Sequence, residues 1–456
     1  MLDGTPKMKP VLTRRSPAGS ASQAIVVGGG LAGIACAVGL ADRGVRVLLL
    51  EARRRLGGRA SSFIDASSGE ALDNCQHVTL GCCRAYLSLL RRLGADSLLR
   101  WTTTQTWIEP GGRRSVLRPS LLPPPLHFAP SFLGARFLSM ADKLSIAHAL
   151  RGIMLAERSE HEQETFAAFL SRCDATPGAI ERFWSPVVVS ACNSAVEHVS
   201  ASSALHVFQE GFLWSRGASA VGVPSVPLQA LYQRVPEILQ ESGGGVVLGA
   251  SAESLDERCV RLRDGTELTA GVVVCALPFE QVGRVMDRRS LPELAVQRLT
   301  DVGRLEHRPI LGVHLAFDRP VLDVPHAVLP ASETQWLFRK SPAGDRVHAV
   351  ISDARAWMDL GEPRILERVA GDIRECLPAA RGAMLVWGRA VKERLATFAP
   401  LPGSQRLRPP ADLGPGVPVL AGDYADTGWP ATMEGATRSG LSAAQVACAR
   451  LRSSTR

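Results

Sequence analysis

The chain has 456 residues, 46% hydrophobic and 21% charged. That length exceeds one ordinary core and points to two domains, and that composition excludes a disordered chain. Lys plus Arg number 52 against 44 Asp plus Glu, a net charge of +8 compatible with an anionic membrane surface, while 5% aromatics with 3 Tyr and no basic-aromatic run give no surface for nucleic acid.

Residues 1–22 are basic and rich in Pro, Gly and Ser, and read as a disordered leader. A charge-free stretch follows over 24–41. It sits near the lower length limit of a membrane span, but its glycines read better as a strand, a turn and a helix. "AIVV" predicts a short buried strand. Gly28, Gly30 and Gly33 then form GxGxxG, a helix is expected through about Arg43, and Gly44 closes it. "VRVLLLE" predicts the second strand, ending in Glu51. Each part has a physical reason. Gly28 allows the tight turn, Gly30 lets backbone approach a diphosphate, and Gly33 lets helix pack on strand. The helix N-terminus offers free N–H groups to phosphates. Glu51, about 20 residues on, is placed to accept a ribose hydroxyl. Dinucleotide binding is the reading. Directly after the strand, "LGGRA" brings two glycines for close backbone approach and Arg59 as a phosphate-binding fork.

The 10 Cys are scattered without a CxxC, several inside apolar runs such as "VVVCALP". That usage fits buried thiols in a reducing cytosol. The densest chemistry is "DNCQHVTLGCC", Asp73 to Cys83. Cys75, His77, Cys82 and Cys83 lack the spacing of a structural zinc site, so no metal is expected. Adjacent Cys82 and Cys83 would point apart on a strand or a helix.

Residues 117–140 combine Leu and Phe with prolines and few charges, just after Trp101 and Trp107. Two readings stand open: a membrane-facing rim or access channel for a greasy substrate, or an internal proline-braced packing segment. "RFWSPVVVSACNSAVEHVSASSALHVF" is apolar with small residues and suits a tunnel wall or a helical core. Farther on, "RDGT" predicts a hairpin and "GVVVCALP" a fully buried strand. "GVPVLAGDYADTGWPATMEG" predicts a strand over Val417 to Ala421, then Gly422-Asp423, a loop and a helix with Pro430 in its first turn.

GxGxxG, Glu51 and GGR together resemble the amine oxidase and phytoene desaturase group of flavoproteins. The resemblance implies FAD in an extended pose. It implies that Gly58 and Arg59 approach the cofactor, that Gly422-Asp423 meets its ribityl and phosphate region, and that the helix beginning near Met433 and Glu434 points at the flavin. The fold class implied is α/β, a discontinuous Rossmann-like FAD-binding domain with an inserted mixed α+β substrate domain. Its expected pieces are 23–95, 220–285 and 405–452 for FAD, and 96–219 and 286–404 for substrate. "DNCQHVTLGCC", "FWSPVVVSACNSAVEHVSA" and "LAGDYADTGWPATMEGATRSG" look more narrowly like the hydroxysqualene dehydroxylase family, also called squalene-associated FAD-dependent desaturase. That family reduces hydroxysqualene to squalene in hopanoid precursor synthesis, with reduced FAD giving up electrons and water leaving. Cys75 stands where the family has Gly, Cys83 where it has Tyr, and "CNSA" where it tends to Leu-Asn-Thr-Pro.

Loss of an allylic hydroxyl needs a proton donor, a hydride source and exclusion of water. The resemblance lays the 73–77 strip along the flavin. His77 is then the first acid candidate, with a backbone-bonded structural histidine as the competing reading, and Gln76 would orient the hydroxyl. Asp73 and Glu434 are further candidates if burial raises a carboxyl pKa. Asp423 reads as a cofactor ligand. A cytoplasmic enzyme in peripheral contact with the membrane is expected. No second dinucleotide motif marks an electron donor. The rival readings are a carotenoid-type desaturase, less readily an amine oxidase, and a non-catalytic prenyl-binding protein of the same fold.

Overall fold

The structure is a computed structural model that describes residues 23–453; the leader expected at 1–22 lies outside them. Five parallel strands form the first sheet, in the order Gly245–Leu248, Val47–Glu51, Ala24–Val27, Val272–Cys275, Val419–Leu420. The central strands are apolar at nearly every position and buried on both faces, which is what a parallel sheet covered on two sides requires. Helix Leu31–Ala41 covers one face, with helix Met433–Ser453 packed beside it.

Three boundaries differ from expectation. The first helix ends at Ala41, because Gly44 takes the left-handed conformation (φ +74°) and the Val45 N–H turns back to the Leu40 carbonyl. The late strand is only Val419–Leu420. The last helix starts at Met433, where the Thr432 hydroxyl accepts the Gly435 N–H, so Pro430 lies before the helix and not in its first turn.

A second, seven-stranded sheet runs Leu385–Phe398, His307–Phe317, Arg346–Ile351, Trp336–Arg339, His326–Val328, Gln105–Ile108, Arg114–Leu117. Alternation splits its long strand His307–Phe317 between two surfaces. Leu311, Val313, Leu315 and Phe317 enter a core with helix Glu362–Cys376. On the other face His314 Nε2 bonds the Asp73 carbonyl at 3.0 Å, and Gly312 lies against the backbone of Asn74 and Cys75. This sheet is thus the floor under the 73–77 strip. Strands Cys259–Leu262 and Glu267–Thr269 form the hairpin expected at "RDGT", with Gly265 at φ +86°.

A helical layer closes the far side around buried Trp107, Phe166, Trp184 and Phe208. It contains two π-turns, Ile180–Trp184 and Gln209–Leu213, a form that recurs at functional sites. The 117–140 segment is partly buried and partly exposed. Leu117, Phe137 and Leu138 are buried, while Leu121 is 90% exposed and Leu126 and Leu133 are also exposed. Among the described residues no helix is long and apolar enough to cross a membrane.

Candidate active site

A cavity of about 420 Å³ opens along the carboxyl ends of the first sheet. Gly28 sits at its start with φ +112°, where a Cβ would lie 2.5 Å from the Ala276 carbonyl oxygen. Gly33 is not in the wall; it lets the helix settle on the turn, because a Cβ there would be 1.8 Å from the Gly28 oxygen. Gly30 caps the helix, and the nearest atom to a Cβ built on it is the Gly58 Cα at 3.9 Å. The GxGxxG turn and the Gly57-Gly58 turn therefore face each other backbone to backbone. Glu51 is buried, and its carboxylate accepts the Gly29 and Arg53 N–H groups, each at 2.7 Å. Two bonds fix that carboxylate and leave lone pairs for a ligand hydroxyl.

The opposite wall is built by Gly422, Asp423 and Met433. Arg59 ties the two ends of the chain together. It donates to Asp423 Oδ1 at 2.6 Å and to the Ala396 carbonyl at 2.9 Å. Burial works against the Arg59 charge, and Asp423 more than restores it. The guanidinium expected as a phosphate fork thus has a protein carboxylate as its principal partner.

Gln76 and His77 form the inner end of the cavity. His77 Nδ1 bonds the Cys75 carbonyl at 3.0 Å, and burial lowers its pKa, so the ring is neutral with its Nε2 lone pair free of that bond. Asp73 is not in the wall of either cavity described here. It turns away from the cofactor side to accept the Ser62 hydroxyl at 2.7 Å, and Lys340 Nζ sits 3.3 Å from its second oxygen. Glu434 is fully buried, and its oxygens accept the Ala85 and Tyr86 N–H groups and Arg438 Nε. It closes the N-terminus of helix Arg84–Arg92, a capping role for a residue that also lines a second, neighbouring cavity. Cys75 is buried against Phe338 and Val350, and burial pushes its thiol up to about 12.

A second cavity, about 260 Å³ and mainly apolar, joins the first. Gln76, Val78, Ser190, Ala191, Thr432 and Met433 line both. Its walls take Pro186 and Val187 from the "SPVVVSAC" helix, Phe212 from a π-turn, and Trp107, Trp336 and Phe338 from the second sheet. Cys82 and Cys83 lie in this wall as well. They lie on neither a strand nor a helix, so the expectation that they point apart does not apply. They occupy the turn before helix Arg84–Arg92, and the Cys82 side chain beside it holds the Cys83 thiol pKa below its ordinary value. Among the described residues no three His, Cys, Asp or Glu side chains converge as a metal site would.

Three residues not singled out in the sequence support the walls around the junction. Lys340 bridges Asp73 and Gln76. Asn74, beside them, donates to the Arg59 carbonyl and to Glu393. Asn193, left-handed at φ 52°, ends the "SPVVVSAC" helix and bonds the Arg308 carbonyl and Thr397. Only Asn193 had a local signal, an Asn placed to stop a helix.

The cavity fits an extended dinucleotide. A ribose-type acceptor stands at one end, facing glycine backbones in the middle, and an apolar cavity at the far end. Comparison with known proteins gives the same cofactor. Residues 31–448 match the family described as flavin containing amine oxidoreductase. The chain is 25% identical to a probable zeta-carotene desaturase of Synechococcus elongatus over 92% of its own length and 97% of the relative's. It is 27% identical to a hydroxysqualene dehydroxylase of Sinorhizobium fredii, again over 92% and 97%. In fold it resembles cyclohexylamine oxidase from Brevibacterium oxydans, with a TM-score of 0.68 at 19% identity, covering 96% of this chain and 100% of that one. A Rossmann-like sheet, a cradle for FAD and a match across nearly the whole chain lead to one conclusion: the protein is an FAD-dependent oxidoreductase of the flavin containing amine oxidoreductase family.

Proposed function

We propose that the chain reduces hydroxysqualene to squalene, with release of water and oxidation of its flavin. The observation that carries this reading is the junction of the two cavities. A mainly apolar cavity suits a long isoprenoid, and it meets the cofactor cavity at an amide, Gln76, that a pure hydrocarbon could not engage. Bound reduced FAD would supply the electron pair and hydrogen that replace the hydroxyl. The chain's own residues orient the alcohol and keep water out. Val78, Ala191 and Met433 close the junction with apolar surface. Asp73 lies behind the wall and the Glu434 oxygens accept three donors; of the sequence-derived candidates Gln76 lines the junction, while His77 lies in the cofactor cavity alone and offers an acceptor nitrogen rather than a proton.

We read the exposed leucines at 121, 126 and 133, with exposed Arg118 and Arg136 in the same segment, as an apolar rim. Arg216 holds the loop by donating to the Leu121 and Leu122 carbonyls. Such a rim suits peripheral contact with the cytoplasmic face of an anionic membrane, where a greasy substrate is drawn from. Leu121→Asp with Leu126→Asp is expected to abolish co-flotation with anionic vesicles while the protein keeps its flavin.

The carotenoid desaturase relatives favour a second reading, removal of hydrogen from a polyene by oxidised flavin. One anaerobic experiment separates the two. Holo-protein reduced chemically and given hydroxysqualene should yield squalene. Conversion of phytoene or zeta-carotene by the oxidised holo-protein, with hydroxysqualene untouched, would overturn the first reading. A colourless protein that refuses FAD would instead support the non-catalytic rival.

A further inference from the structure

Lys340 follows strand Trp336–Arg339 and meets the 73–77 strip across 264 residues of sequence. Its ammonium donates to Gln76 Oε1 at 3.1 Å and to Asp73 Oδ2 at 3.3 Å. An ammonium can only donate, so the Gln76 oxygen must be the atom facing it, and the amide cannot flip without losing that bond. Gln76 Nε2 gives one hydrogen to the His77 carbonyl at 3.1 Å. Its second hydrogen remains, on a residue that lines both cavities. Asp73 is buried and already holds the Ser62 hydroxyl, so it anchors the lysine from behind.

We propose that Lys340 is a positioning residue for substrate recognition: it locks the Gln76 amide so that the remaining Nε2–H donates to the oxygen of an isoprenoid alcohol where the two cavities meet. The inference rests on the reading of the substrate as an alcohol. It adds the residue that makes the site prefer the alcohol to the hydrocarbon. A lysine serving only as a salt-bridge partner for Asp73 would leave that preference untouched.

The test is a binding titration of FAD-loaded protein with hydroxysqualene and with squalene, followed by perturbation of the flavin visible absorbance. Wild type is expected to bind the alcohol more tightly by roughly 10- to 100-fold, the scale of one hydrogen bond left unmade in a buried site. Lys340→Met strands the Asp73 charge, so Asp73→Asn/Lys340→Met is the companion variant that restores neutrality. Both should lose most of the preference through weaker alcohol binding alone, with squalene affinity and FAD content unchanged. Gln76→Leu should lose it too, and Gln76→Leu/Lys340→Met should lose no more than Gln76→Leu, because the lysine acts through the amide. An unchanged preference in the neutral double variant, additive losses, or a wild type with no preference overturns the inference. Preferred binding of the alcohol without its conversion would sink the proposed reaction and leave the positioning role standing.

Discussion

Glu434 opens the last helix and reaches back to the start of another, accepting two backbone N–H groups of helix Arg84–Arg92 and Arg438 Nε. Its position in sequence, beside the flavin-facing turn, offers no hint that its oxygens are already engaged. Glu434→Ala should therefore lower unfolding free energy by about 1–2 kcal/mol, chiefly the loss of a cap, since its partner Arg438 is partly exposed, read from denaturant melts. Glu434→Gln keeps an acceptor and should retain turnover; abolished turnover with the fold intact would return the residue to the list of acids. Cys75 raises the opposite question, a side chain where the resembled family has none. It packs on Phe338 and Val350 beneath the cofactor cavity. Cys75→Gly should keep flavin absorbance and cost about 1 kcal/mol for the lost packing. Loss of flavin in that variant would mean the strip is misplaced.

At the scale of elements, the site is an encounter of strand ends. Arg59, after the second strand, and Asp423, after the last, are 364 residues apart in sequence and 2.6 Å apart in space. Asp423→Asn should loosen this clamp and weaken FAD by roughly tenfold, the scale of one charge-assisted hydrogen bond, measured by flavin release on dilution. Unchanged FAD retention would show the clamp to be incidental. This contact also marks the limit of what could be read without coordinates. GxGxxG, Glu51 and GGR were legible because each is a local demand: a turn, a close approach, a strand end. The Cys82–Cys83 contact, the engagement of Asp73 and the place of Lys340 were not. The first depends on a local turn; the other two depend on which face of a distant sheet lies beneath the 73–77 strip, and alternation along a strand such as His307–Phe317 sets two faces without saying which neighbour each will meet.

Across the whole molecule, buried histidines set the acid limit. Burial holds His326 down to about 4 and His206 to about 3. The unfolded chain takes up these protons near pH 6.5, while the folded chain does not until far lower. Stability from these groups is therefore complete above about pH 6.5 and is lost as pH falls toward 4, by about 1.4 kcal/mol per unit for each histidine. Urea midpoints at pH 7.5, 6 and 5 should fall in that order, and His326→Phe should flatten the slope. A midpoint that does not move between pH 7.5 and 5 would contradict the burial of these rings.

The first sheet takes its central strand from residues 24–27 and an edge strand from 419–420, and the closing helix runs to 453. A nascent chain therefore holds the FAD turn without the strand and helix that complete the cradle until residues 419–453 are made. Cofactor capture becomes a late event, after residues 419–453 have emerged, and the apolar strands 24–27, 47–51 and 272–275 wait without their last neighbours until then. Flavin supply during expression should accordingly govern soluble yield, and a chain ending before Met433 should aggregate however much FAD is present.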